Sequence, residues 1–357
     1  MSNNISDIEV NISVEDVVNP ATFGGICLYL NTTTNIDLPY TTVYNTKEAA
    51  EKIKATKLVA NDQNILNNAV DIAFMQANPP ERVGLLACPV AKVQDYYNCE
   101  WRYLLPLNLD ADNLKTLAKS IETSDALKVL CLQLSNQADG SMDYGDFESD
   151  AYNTIKDYER TCAFVGVYSK DGTNTYDKNQ IATALFAETS SKNVGSFTYK
   201  NQALKGVYAD ESITKSKLNE YHSKNINAYV HKAGYDVTSE GKLLNGEYID
   251  ILDAKDWLIT QIKYQLQQAL IINDKIPYDN NGIALLESTV VNVLQDAYNN
   301  GIIAVNDNGE HSYTVNFARR SETKASDREL RQYVEGKFSF DLAGAIHSVT
   351  INGVINI

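Results

Sequence analysis

Metal or nucleophilic chemistry in this 357-residue sequence would have to come from four histidines, five cysteines and one acidic run. His222, His231, His311 and His347 show no paired spacing. No His-Glu-x-x-His, Cys-x-x-Cys, Gly-x-Ser-x-Gly or phosphate-cradling glycine loop occurs. Cys27, Cys88, Cys99, Cys131 and Cys162 are odd in number and widely spaced. All but Cys99 lie in apolar, strand-like runs, which reads as buried free thiols. Asp139, Asp143, Asp146, Glu148 and Asp150 offer oxygen ligands of the type calcium takes. Their spacing departs from the EF-hand loop, so a solvated acidic loop is the better reading. No catalytic constellation, cofactor motif or metal site stands out, and none is expected.

Charge narrows the partners. A formal net charge of −15 argues against nucleic acid, whose phosphates demand lysine and arginine. It argues equally against anionic membrane surfaces. No stretch approaches the roughly eighteen apolar residues of a membrane span. The start Met1-Ser2-Asn3-Asn4 has neither basic residues nor an apolar core, so no secretory signal is read and cytoplasmic synthesis is expected.

With chemistry weak, the chain ends stand out. Ile8, Val10, Ile12 and Val14 alternate with polar residues, which is the pattern of a strand. Asn19-Pro20 then marks a bend. At the other end Phe338, Phe340, Leu342, Gly344 and Ile346 alternate. The pattern restarts out of phase at Val349, Ile351, Gly353, Ile355 and Ile357, with Val354 beside them. The slip at His347-Ser348 implies a bulge or hinge. An apolar terminal strand recruits other chains unless its own fold covers it.

Between the ends the pattern is α/β. Strands are expected at 23–29, 82–88, 103–107, 127–134, 162–168 and 227–231, with short ones at 241–242 and 248–251. Further strands are expected at 311–317 and from 338. Helices are expected from Thr46 as N-cap, at 63–76, 112–122, 151–158, 180–188, 214–224 and 253–271, and from Asp279 or Asn280 to Asn300-Gly301. In the helix at 253–271 the apolar face includes Trp257, Leu258, Ile262, Leu266, Ala269 and Leu270. Ser326 to Glu329 has capping-box spacing and opens a short helix to about residue 334. Arg319, Arg320, Lys324, Arg328, Arg331 and Lys337 make this the one locally basic stretch, against Glu322, Asp327, Glu329 and Glu335. Internal salt bridges on a solvated helix would account for it as well as a partner does.

Several segments, in their order and spacing, resemble the tail-sheath proteins of contractile bacteriophages, in the compact branch of that family. They are Ala77-Asn78-Pro79-Pro80-Glu81-Arg82-Val83, Gly246-Glu247-Tyr248-Ile249-Asp250, Asp256-Trp257-Leu258, Ile276-Pro277-Tyr278, Gly282, Gly301-Ile302-Ile303 and the run from Phe338 to Gly353. The resemblance covers most of the chain outside 96–200, and no single motif is diagnostic. It implies a mixed α/β subunit with strand arms at both ends, 1–20 and 347–357. A discontinuous core, 21–95 and 201–346, would face a tail tube, and an inserted α/β domain, 96–200, would face outward. It implies a helical polymer of the chain itself, with tube, baseplate and tail-terminator proteins as partners, in a virion tail assembled in a bacterial cytoplasm. Ile8, Val10, Ile12, Val14, Val349, Ile351, Val354, Ile355 and Ile357 would pair between subunits. Asn19, Pro20, His347 and Ser348 would be hinges. Arg319, Arg320, Lys324, Arg328 and Arg331 would touch tube or neighbour. The sheath of a phage-derived bacteriocin fits the same residues, and an acidic α/β enzyme with an interdomain pocket is the reading from another class.

Overall fold

The computed structural model describes residues 23–33, 35–135, 143–166, 180–209 and 211–347. The expected arm strands at 8–14 and 349–357, and the hinge residues Asn19, Pro20 and Ser348, lie outside them. Two compact units form: 23–193 with 199–256, and 194–198 with 257–347.

The first unit is built on one eight-stranded sheet. In chain order its strands are β1 (Ile26–Asn31), β2 (Leu38–Val43), β3 (Val83–Cys88), β4 (Tyr103–Pro106), β5 (Val129–Ser135), β6 (Thr161–Gly166), β7 (Asn227–Lys232) and β8 (Tyr235–Thr238). Across the sheet they run β2-β3-β1-β4-β5-β6-β7-β8. The interior from β3 to β7 is parallel, and β2 and β8 close the edges antiparallel. Strands β1, β3, β4, β5 and β6 are almost wholly buried, as a parallel sheet covered on both faces must be. Among the described residues of 96–200 no separate sheet forms. They supply β4, β5 and β6 to the middle of this one.

Helices α1 (Thr46–Lys54), α2 (Ala60–Phe74) and α3 (Ala111–Glu122) follow β2 and β4. The cap of α1 is Asn45 rather than Thr46: its side chain accepts from the Glu48 amide at 2.9 Å. In α3, Asp110 caps the Asn113 amide, and Leu114, Leu117, Ala118 and Ile121 fall on one buried face. That face joins Tyr29, Leu104, Leu130, Leu132 and Ala163 in one core cluster. The same cluster takes Phe147 and Ile155 from a helical segment made of α4 (Tyr144–Asp146), a π turn (Phe147–Ala151) and α5 (Tyr152–Ile155). On the opposite face lie α2 and α6 (Ile181–Thr189), packed together. Every residue of α6 is buried, so the helix shows no polar face. The next helix is α7 (Lys215–Ser223), and α8 (Ile249–Ile272) spans the two units. Residues 249–251, expected as strand, are the first turn of α8; only an isolated bridge, Lys242 to Tyr248, precedes it.

The second unit holds α9 (Asn280–Asn299) and a two-stranded sheet of β9 (Tyr313–Phe317) and β10 (Gly336–Phe340). Asp279 caps α9 through the amides of Asn281 and Gly282. Gly282 is obligatory, since a Cβ there would sit 1.9 Å from the Pro277 carbonyl. At the far end Gly301, at φ +80°, closes a Schellman turn through Ile302 N to Ala297 O at 2.9 Å. Leu270, expected in the apolar face of α8, is 48 % exposed beside Ile271 and Ile272. Strand β10 ends at Phe340 rather than at Ile346. Beyond it, among the described residues, Leu342 alone bridges, to Ile303.

Phe186 of α6 touches Tyr103, Phe164 and Tyr199, with ring centroids 4.6, 6.1 and 5.3 Å away. Phe186→Ala should therefore cost about 3–5 kcal/mol, measured as a lower midpoint in urea unfolding with a cooperative transition.

Candidate functional site: the C-terminal hairpin and its basic flank

Strands β9 and β10 pair antiparallel, with Phe338 opposite Val315 and Phe340 opposite Tyr313. Alternation puts Tyr313, Val315, Phe317, Phe338 and Phe340 on one face, and Thr314, Asn316, Lys337 and Ser339 on the other. Across the polar face the Thr314 and Ser339 hydroxyls bond at 2.7 Å. Strand β9 packs against α9. Among the described residues no third strand joins this pair.

The connection from β9 to β10 is the basic stretch, and it is tied down at several points. The Glu322 carboxylate reaches back to the Arg319 amide at 2.7 Å, and the Arg320 amide bonds Asn280 at 3.0 Å. A short 3₁₀ turn (Arg320–Glu322) leads to α10 (Ala325–Glu329). The capping box expected at Ser326 and Glu329 does not form. Lys324 is the cap position, without a side-chain bond, and the Ser326 hydroxyl turns to Asp327. Helix α10 stops at Glu329 instead of reaching 334, because Arg331 takes φ +57° and Gln332 N bonds Asp327 O at 2.8 Å. These are the marks of a Schellman stop. Tyr333 stacks on Phe317 at 5.5 Å and donates to the Ala318 carbonyl at 2.9 Å.

Arg319, Arg320, Lys324, Arg331 and Lys337 are exposed. Arg328 is half-buried, its guanidinium donating to the Thr323 carbonyl, to the Thr323 hydroxyl at 3.1 Å and to the Arg320 carbonyl at 3.3 Å. Among the described residues no carboxylate is within ion-pair distance of any of the six. Among the described residues, then, internal salt bridges do not account for this stretch. Leu330 and Val334 stand beside it, 68 % and 61 % exposed. Of the sequence-derived site residues, the structure brings together this basic set; His347 ends the described chain.

The chemistry-bearing residues scatter. Among the described residues no group of histidines, cysteines and carboxylates is placed to hold a metal. Asp143 caps the Gly145 amide, Glu148 pairs with Lys224, and Asp150 pairs with Lys115. His222 bonds Ser239, His231 bonds Asp236, and His311 stacks on Tyr313. Cys27, Cys88, Cys131 and Cys162 are buried free thiols. A cavity at the ends of β4 and β5, lined by Leu105, Cys131, Gln133, Gln180 and Thr183, has a volume of about 10 Å³, room for one water.

One buried polar cluster escaped sequence reasoning. Arg102, 3 % exposed, donates through Nε and Nη2 to Asp253 at 3.0 and 2.6 Å, and through Nη1 to Asp256 at 2.8 Å. Arg160 grips Asp256 with both Nη atoms, at 2.8 and 3.1 Å. The hydroxyls of Tyr103 and Tyr199 both donate to Asp253 at 2.7 Å. Burial raises the Asp256 carboxyl, but the two guanidiniums outweigh it and hold the pKa below the usual range. The signal was available as two aspartates three apart on the inner face of α8 and arginines just ahead of β4 and β6.

No curated protein matches the sequence. The fold is shared along the whole chain with proteins of contractile sheaths. It superposes on a chain of the anti-feeding prophage helical sheath in the contracted state with a TM-score of 0.70, at 13 % identity over 99 % of each chain. A chain of an extracellular contractile injection system, the PVC sheath complex in the contracted state, gives 0.68 at 12 % identity, over 100 % of this chain and 98 % of that one. The sheath tail protein of Listeria innocua gives 0.57 at 9 % identity, covering 82 % of this chain and 88 % of that one. Residues 249–355 match the family described as E217 tail sheath protein gp31-like, C-terminal domain. The resemblance to tail-sheath proteins read from the sequence is thus met in the fold throughout and in a family match over α8, α9 and the hairpin.

Burial pushes the partly buried Asp250 carboxyl from 3.8 up to about 6. A folded value above the unfolded one means the charged form opposes folding. The cost is absent below about pH 4 and fully present above about pH 6. Asp250→Asn should accordingly gain about 1–2 kcal/mol at pH 7 and flatten the stability profile between pH 4 and 7, read from urea midpoints.

Proposed function

We propose that this chain is the repeating subunit of a contractile tail sheath, a structural rather than a catalytic protein. The observation that carries the reading is the β9–β10 pair: a two-stranded sheet, marginal by itself in water, in a chain whose ends both read as strands. Strands lent by neighbouring copies would complete it by β-augmentation. Each main-chain bond gained is worth about 0.5–1.5 kcal/mol net. Because donor and acceptor are different surfaces, the contact is heterologous and propagates as a helix instead of closing. The whole-chain fold shared with contracted sheaths supports this, as does the family match over the segment that contains the hairpin.

In this reading Ile8, Val10, Ile12 and Val14, and Val349, Ile351, Val354, Ile355 and Ile357, make the inter-subunit ladders. The bends at Asn19-Pro20 and His347-Ser348 let rigid bodies turn while the ladders hold. Residues 96–200 face outward and the C-terminal part of 201–346 faces the tube. The basic stretch meets an acidic surface of tube or neighbour. Tube, baseplate and terminator proteins are the partners, the particle assembles in a bacterial cytoplasm, and contraction drives the tube into a target cell. A headless particle is the second reading, favoured by the likeness to an extracellular injection system; a capsid gene beside this one would decide for a phage.

Two experiments bear on it. Purified protein should form hollow tubes under the electron microscope. A chain ending at His347 should keep its melting temperature as a monomer and form none; cylinders of normal length from that chain would overturn strand exchange. Lys324→Glu combined with Arg331→Glu should leave the monomer's melting temperature within about 1 °C, since both side chains are exposed. The same pair should weaken assembly, seen as fewer sedimenting polymers, while unchanged polymer yield would remove the basic stretch from the interface.

A further inference from the structure

We propose that Arg102, Asp253, Asp256 and Arg160 act as an orientation clamp, fixing the tilt and rotation of the first two turns of α8 on the sheet of the first unit. Three observations lead there. The first is cost. Charges buried this deeply gain no stability over well-packed apolar side chains of the same size, so stability alone does not explain the cluster.

The second is geometry. Asp253 and Asp256 are three apart, on one face of α8. They are held from separate places: Arg102 and Tyr103 at the head of β4, Arg160 ahead of β6, and Tyr199. The Arg102 fork spans both carboxylates, and every carboxylate oxygen has a donor. Directional bonds from separated anchors fix both the tilt and the rotation of a rod. Burial of the aliphatic Leu252 on the same turns would tolerate sliding.

The third is strain. Leu127 is held at φ +54° and gives its carbonyl to Arg102 Nη1 at 2.8 Å. Leucine seldom adopts that conformation, and such outliers persist where the surroundings impose them. The guanidinium also lies 4.4 Å from the Phe23 ring, which caps it.

The test is made on the full-length monomer and does not depend on assembly, so its failure would leave the sheath reading standing. Spin labels at Lys119→Cys on α3 and Lys255→Cys on the second turn of α8, with Cys99→Ser removing the partly exposed thiol, report the distance from α3 to the start of α8 within the first unit. The parent should give one narrow distribution. Arg102→Lys keeps the charge but loses the fork; it should broaden the distribution about twofold while unfolding cooperatively. A lower melting temperature with unchanged width would mean a merely stabilising contact and overturn the proposal. If Arg102→Lys does not fold, Arg160→Lys carries the same test: its side chain is 17 % exposed and its loss releases only one end of Asp256. An unchanged width there overturns the proposal equally.

Discussion

Backbone groups at a sheet edge must find partners, and the way each edge here is met organises the molecule. The large sheet has both edges stopped. Strand β2 carries Pro39 and a register shift between Leu38 and Thr41, and Lys52 covers the Thr42 carbonyl. Proline and bulges are how edge strands are kept from recruiting others. On the other side, Thr238 of β8 exchanges bonds with residues 201 and 202 at 2.9 and 3.1 Å. That sheet can grow no further there. The small sheet of β9 and β10 has two strands among the described residues, with residues 302–304 bonded to residues 312, 341 and 343 at one end of it.

Charge follows a similar division. The chain is acidic as a whole, and inside the first unit the buried Arg102 and Arg160 are matched against Asp253 and Asp256. The basic stretch between β9 and β10 is the reverse case. Its backbone is anchored through Asn280, Glu322 and Tyr333, while its cations have no carboxylate partner among the described residues. Under the proposed reading, a loop held rigid in this way would dock an anionic partner at little entropic cost.

Elements with strong local signals were legible. The apolar runs of β3, β5 and β6, and the Asp-capped, periodic α3 and α9, sit within a few residues of expectation. Strand β2 was hidden by Pro39, and β8 is only four residues long, entered through Ala233 and Gly234 at positive φ. The start of α8 was read as strand because Tyr248-Ile249 is β-prone in isolation; tertiary anchoring through Asp253 and Asp256 makes it helix. Residues 96–200 looked separable because their α/β pattern is complete in itself. What periodicity cannot reveal is that their strands insert next to β1. The buried cluster was invisible for a related reason: Arg102 lies 151 and 154 residues from its partners, beyond the reach of any local pattern. The apolar and basic features of the C-terminal unit could be read because they are local.

Under the reading proposed above, these features bear on how such a subunit would change lattice without unfolding. A polymer that rearranges needs links that survive the change and bodies that do not deform. Main-chain ladders serve as links because their strength depends on backbone geometry inside the ladder, not on the angle between the bodies they join. A fully covered parallel sheet, with α6 buried on every side, serves as a body because close-packed interiors resist deformation. Apolar faces alone would be poor links, since they allow many docking angles of similar energy. In the proposed sheath, cations with no carboxylate partner among the described residues would add what the ladder lacks, a contact that depends on angle and weakens with salt. In such a sheath, that division of labour would have the ladder keep subunits together and the charges choose between the arrangements the ladder permits.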